Sequence, residues 1–188
     1  MRPQATKDIT ARLDFIRKAG QLKDTLRSAW TAAGRTESTA EHTWRLTLLI
    51  ITFADEFPGI DLQKLLKMCI LHDLGEAVSG DIPAPSQLQA KGAEERLDFQ
   101  SLIEELPVRL IEEFTELWDE YEAGVSPEAE IAKAFDKLET ILQHNQGSNP
   151  DDFDYAFNLD YGKAYTDAVP LAKEIRQLLD VETSSNME

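Results

Sequence analysis

Two histidines and a group of carboxylates are the residues of this chain whose types and spacing could carry chemistry. The stretch "MCILHDLGEAVSGDIP", Met68 to Pro83, passes from an apolar run straight into His72-Asp73, with Glu76 and Asp81 close behind. On a helix advancing about 100° per residue, Glu76 falls about 40° and Asp73 about 100° from His72, within one arc of the wheel. Leu62, Leu65, Leu66 and Cys69 occupy that arc one to three turns earlier, while Gln63, Lys64 and Lys67 lie opposite. His42 stands at the head of a second apolar stripe, made by Leu46, Leu49, Ile50, Phe53 and Phe57. A carboxylate buried without a partner costs several kcal/mol, and the usual escapes are protonation, ion pairing or metal binding. Imidazole and carboxylate together suit a divalent transition metal such as Mn, Fe, Co, Ni or Zn. A lone inward histidine is more often a hydrogen-bonded core residue than a ligand, so spacing alone leaves both readings open.

The elements that must position these groups read as helices, and the fold class expected is all-α, a helical bundle. A first helix spans about Asp8 to Ala19, with Ile9, Leu13 and Ile16 on one face. A connector, "QLKDTLRSAWTAAGRTE", leads to a capping box in "STAE", with Ser38 as N-cap and Glu41 three residues on. That second helix stops at Pro58-Gly59. The third is expected to run unbroken from about Asp61 to Gly80, followed by a proline-stiffened loop, "DIPAPS". Further helices are expected over about Ala93–Leu106 and Pro107–Ala123, then from the Ser126-Pro127 cap to about His144, and last over Pro170–Asp180. The acidic set on the Pro107–Ala123 segment reads as a solvated face, Trp44 and Trp118 as packing residues, and His144 as a surface residue. Asp136 falls on the wheel away from the stripe of Ile131, Phe135, Leu138 and Leu142, which by itself leaves a solvated surface residue and a ligand equally open.

The chain has 188 residues, enough for one domain with a core and short for two. With 35 acidic against 19 basic residues the formal charge is -16, which argues against broad binding to nucleic acid or an anionic membrane. One small anionic substrate remains compatible, because a bound cation and a single arginine reverse the local field. Cys69 is the only cysteine, as suits a reducing compartment, and the first residues lack signal-peptide character. A cytoplasmic single domain over residues 1–188 is therefore expected, with a polar, frayed tail over about 181–188.

The order His42, His72-Asp73, Asp136 resembles the signature of the HD-domain metal-dependent phosphohydrolases. "LKDTLRSAW", "ESTAEH", "LHDLGEAVSGDIP" and "KAFDKLETILQ" are similar, in order, to motifs of the 5'-deoxynucleotidase branch, and together span about Gln21 to Gln143. The resemblance implies a homodimeric enzyme that hydrolyses deoxyribonucleoside 5'-monophosphates to deoxynucleoside and phosphate. It implies one divalent ion (Co, Mn, Fe, Ni, Zn or Mg) held by His42, His72, Asp73 and Asp136, the last marked only by "FDKLE". Glu76 and Asp81 match acidic residues assigned to water activation and leaving-group protonation. Arg27 matches an arginine that holds the phosphate, and Trp30 is the candidate nucleoside contact. One subgroup places Trp directly after that Arg; here Ser28 follows, a spacing similar to that of eukaryotic HD-domain-containing relatives. Two alternatives remain: a phosphohydrolase for a cyclic nucleotide or pyrophosphate, and a non-catalytic nucleotide-binding module.

Overall fold

The computed structural model describes residues 3–81 and 91–188. Its helices are α1 (Pro3–Ala19), α2 (Thr39–Thr52), α3 (Leu62–Leu71), α4 (Glu76–Ser79), α5 (Lys91–Ile103), α6 (Val108–Ala123), α7 (Pro127–Gln146), α8 (Ala156–Asp160), α9 (Lys163–Ala168) and α10 (Pro170–Asn186). The expected all-α architecture is present, with one small addition: within the segment read as a connector, β1 (Leu26–Trp30) and β2 (Thr36–Ser38) pair antiparallel. Two strands of five and three residues are too short to show a convincing alternation, so periodicity missed them. The expected "DIPAPS" loop, beyond Asp81, lies outside the described residues.

Helix boundaries follow local chemistry. The Ser38 hydroxyl accepts from the Glu41 amide while the Glu41 carboxylate accepts from the Ser38 amide (2.9 Å), satisfying both donors at the start of α2. Asp61 caps α3 by accepting from the Lys64 amide, and Ser126 followed by Pro127 opens α7. The expectation of one helix to Gly80 is corrected. The α-helix ends at Leu71, and the next turns tighten into i to i−3 bonds such as Glu76 N–H to Asp73 O (3.1 Å) and Val78 N–H to Gly75 O (2.9 Å). Gly75 allows α4 to lie directly on α5, since a Cβ there would sit 2.9 Å from the Glu95 carbonyl oxygen.

α7 is the central strut. α2, α3, α6, α9 and α10 all pack on it, so it is buried around most of its circumference. Ala129, Ala132 and Ala134 let neighbours approach closely, and Phe135 takes the rings of Phe53 and Phe57 edge-on at 6.0 and 5.5 Å. Trp118 stacks on Phe99 (5.7 Å), as its packing role predicted, but Trp44 is exposed. The apolar face read on α1 is also largely in solvent: Ile9, Leu13 and Ile16 are exposed, and Phe15 and Ala19 meet the core instead. At the other end, the tail expected to fray continues α10 to Asn186. Thr183 is fully buried there, and its hydroxyl donates to Asn145 Oδ1 (2.8 Å).

Candidate metal and phosphate site

Four elements converge at one end of the bundle. The first turn of α2 supplies His42, the C-cap of α3 supplies His72, and the tight turn after it supplies Asp73. Glu76 opens α4, Asp136 and Thr140 face in from the middle of α7, and β1 delivers Arg27. Asp136, which the wheel set apart from the apolar stripe without deciding its exposure, is buried because α7 has almost no solvent side. His144, read as a surface residue, is also buried; its Nδ1 meets Asn158 Oδ1 at 2.7 Å, and burial holds its pKa below the usual histidine value.

His42 Nε2 lies 3.0 Å from Asp136 Oδ1 and 3.7 Å from Asp73 Oδ2. His72 Nε2 lies 3.0 Å from Asp73 Oδ2 and 3.9 Å from Asp136 Oδ1. Both Nε2 atoms are buried, yet neither is aligned for a hydrogen bond. Short separations without alignment are what ligands of a common ion show, since each lone pair aims at the shared centre and not at its neighbour. The tautomer agrees for His72: its Nδ1 sits 2.9 Å from the Cys69 carbonyl, which only accepts, so Nε2 carries the free lone pair. Asp136 is similarly prepared. Its Oδ2 accepts from Lys137 Nζ (2.8 Å), leaving Oδ1 toward the histidines. Among the described residues, the ligand atoms of His42, His72 and Asp73 all fall within 4.8 Å of one another. Two neutral imidazoles and two carboxylates are a donor set that fits a divalent transition metal.

The electrostatics point the same way. Burial opposes ionisation of Asp73 and Asp136, but His72 beside the first and Lys137 with His42 beside the second hold both well below the usual carboxylate range. Burial and Arg27 disfavour charge on His42, and the surrounding Glu139 and Asp136 outweigh them, raising it to about 10. A site that retains a proton so strongly without a metal offers a cation a well-developed negative field. Glu76 behaves oppositely: burial, then Asp73 and Asp81, push it up to about 9, and the Thr39 hydroxyl donates to its Oε2 (2.9 Å).

The group floors a cavity of about 540 Å³, within the usual range for small-molecule sites. Arg27, Asp81 and Glu76 line it beside His72, Asp73 and Asp136, and Phe153, Phe157, Tyr161 and Tyr165 form its outer wall. Arg27 Nη1 lies 3.6 Å from Asp73 Oδ2, and its Nη2 donates to Thr140 Oγ1 (3.3 Å). Trp30 is not among the lining residues; its ring packs edge-on at 6.0 Å against Phe153, which is. Sequence reasoning also missed Glu139 and Glu37. Glu139 is fully buried against His42 Nδ1, and Glu37 lies 3.6 Å from Arg27 Nε. The i, i+3 spacing of Asp136 and Glu139 in "FDKLE" was the available signal for the first; a buried Glu on a three-residue strand leaves none.

Comparison with known proteins accords with this geometry. The chain is 32% identical over 139 residues to the 5'-deoxynucleotidase HDDC2 of Danio rerio, covering 71% of this chain and 68% of that protein. It is 33% identical over 138 residues to the 5'-deoxynucleotidase hdd1 of Schizosaccharomyces pombe, covering 69% and 68%. The fold matches a crystal structure of a "Predicted metal-dependent phosphohydrolase" from Magnetospirillum magnetotacticum MS-1 with a TM-score of 0.82, 26% identity, and coverage of 98% and 97%. The HD-domain family model matches residues 19–176, a span that contains both histidines, Asp73 and Asp136. The chain belongs to the HD-domain family.

Proposed function

We propose that the chain is a metal-dependent 5'-nucleotidase that hydrolyses deoxyribonucleoside 5'-monophosphates to deoxynucleoside and phosphate. The observation that carries this reading is the placement of Arg27 at 3.6 Å from Asp73, in one cavity with the unpartnered Nε2 of His72, while the unpartnered Nε2 of His42 lies 3.7 Å from the same Asp73 carboxylate. The relatives named as 5'-deoxynucleotidases support the substrate class.

His42, His72, Asp73 and Asp136 would hold one divalent ion, with Co, Mn, Fe, Ni, Zn and Mg as the candidates. When bound, such an ion offsets phosphate charge and makes water more acidic. The remaining steps fall to the chain. Arg27, kept cationic by Asp73 and Asp136 despite its burial, binds the phosphate oxygens. Glu76, pushed up to about 9 by burial and by its neighbours Asp73 and Asp81, would be ionised once a cation offsets those carboxylates, and then accepts the proton that the attacking water loses. Asp81, farther along the cavity lining, protonates the leaving 5'-oxygen. The aromatic wall encloses the nucleoside, and Trp30 acts on it through Phe153.

Assembly as a homodimer belongs to the same reading. It is supported by the exposed apolar stripe of Trp44, Leu48 and Ile51 on α2, and light scattering tests it. A cytoplasmic setting is supported by Cys69 as a buried free thiol, and no described helix is long and apolar enough to cross a membrane.

The deciding experiment is phosphate release from a panel of deoxyribo- and ribonucleotides across the candidate metals. Asp73→Ala should abolish both turnover and metal content while leaving helix content nearly unchanged. Turnover surviving in metal-stripped Asp73→Ala would remove the mechanism. Preferential cleavage of cyclic or pyrophosphate substrates would move the activity to another phosphohydrolase class, and binding without turnover would leave a nucleotide-binding module.

A further inference from the structure

We infer that Glu139, fixed by Arg45, is a positioning residue that sets the tautomer and donor strength of His42. The inference rests on the metal-binding reading above. The two inward histidines are held from behind by different partners. The Nδ1 of His72 meets a neutral backbone carbonyl, that of Cys69, at 2.9 Å. The Nδ1 of His42 meets the Glu139 carboxylate.

The Glu139 carboxylate is divided between two tasks. Oε2 faces His42, while Oε1 accepts from Arg45 Nε at 2.6 Å. Arg45 is itself held by the Glu139 carbonyl (3.3 Å) and by Gln146 Oε1 (3.2 Å), so the guanidinium cannot rotate without breaking several bonds. Glu37, the other acid beside His42, is turned toward Arg27 Nε at 3.6 Å and leaves Nδ1 to Glu139.

An ionised carboxylate only accepts, so the proton of neutral His42 must reside on Nδ1 and its lone pair on Nε2, the atom facing Asp73 and Asp136. A carboxylate partner also enriches the ring in electron density more than a carbonyl does. His42 is thereby the stronger donor of the two histidines, and Glu139 contributes to ion affinity without touching ion or substrate. α7 thus acts twice: Asp136 meets the ion directly, and Glu139, three residues on, orients His42.

The test compares zinc affinity, by chelator competition, and the Nδ1–H proton resonance of His42 in wild type, Glu139→Gln and Arg45→Gln. Glu139→Gln should weaken zinc binding about 10–100-fold and move the Nδ1–H signal upfield in both zinc-free and zinc-loaded protein. Arg45→Gln should shift both in the same direction by less. A folded Glu139→Gln with unchanged zinc affinity and an unmoved Nδ1–H signal would overturn the inference. Should Glu139→Gln fail to fold, unchanged values in Arg45→Gln would overturn it equally. Absence of binding by zinc and by every other candidate ion in the wild type would overturn the metal reading instead, and the metal-free Nδ1–H signal would still decide the role of Glu139.

Discussion

Glu76 and Asp73 stand three residues apart in one turn, and the site drives their acidities in opposite directions. Asp73 faces two imidazoles and stays ionised, whereas Glu76 is buried beside Asp73 itself and is pushed up to about 9. On the proposed mechanism this divergence would separate a ligand, Asp73, from a proton carrier, Glu76. Glu76→Gln should therefore lower kcat by about 10²–10⁴-fold while metal content, measured on the purified protein, stays at the wild-type level. A parallel loss of metal would reassign Glu76 as a ligand. His144 makes a stability prediction at the same scale. Its pKa is lowered by burial from 6.5, so the folded state resists its protonation. Its stabilising contribution is complete above about pH 6.5 and is lost as the pH falls through that value toward the lowered one. Replacing it in His144→Gln should flatten the fall of Tm as the pH drops below about 6.5.

At the scale of elements, the segment from Leu71 to Ser79 shows how a local change of winding serves a site. A continuous α-helix would set Glu76 about 40° and Asp73 about 100° from His72, all on one face of α3. Tightening after Leu71 turns Glu76 back toward Thr39 at the start of α2, which its carboxylate reaches at 2.9 Å. The turn holds its place because α4 lies on α5, with no room at Gly75 for a side chain. The backbone of Gly75 is itself ordinary right-handed helix, so close approach is what requires glycine. Gly75→Ala should cost about 1–3 kcal/mol through overpacking, read as a lowered urea midpoint, and should reduce turnover by displacing Glu76.

Across the whole molecule, α7 ties the site to the far end of the chain. Its middle carries Asp136, Glu139 and Thr140, and its last turn carries Asn145, which accepts from the Thr183 hydroxyl at 2.8 Å. The Asn145 carbonyl also accepts from Asn186 Nδ2 (3.1 Å). The final turns of α10 therefore brace the helix that holds the site. Truncation after Asp180 removes both bonds and the packing of Thr183, and should cost about 1–3 kcal/mol at about 0.5–1.5 kcal/mol per bond. Thermal denaturation of the truncated chain checks this, and an unchanged Tm would return the tail to the frayed state its composition suggests.

Helical period, capping chemistry and the order of four short motifs determined the bundle, most helix starts, and the candidate set His42, His72, Asp73, Asp136, Glu76, Asp81 and Arg27. These are local properties, written in residues a few positions apart. The burial of Asp136 and His144 was not legible, because a wheel assumes one wet face and α7 is packed by neighbours from most sides. The short hairpin, the break after Leu71 and the partnership of Glu139 with His42, 97 residues away, were likewise decided only in three dimensions. A hydrogen bond between distant residues has no periodicity along the chain, so only the tertiary structure could assign His42 its partner.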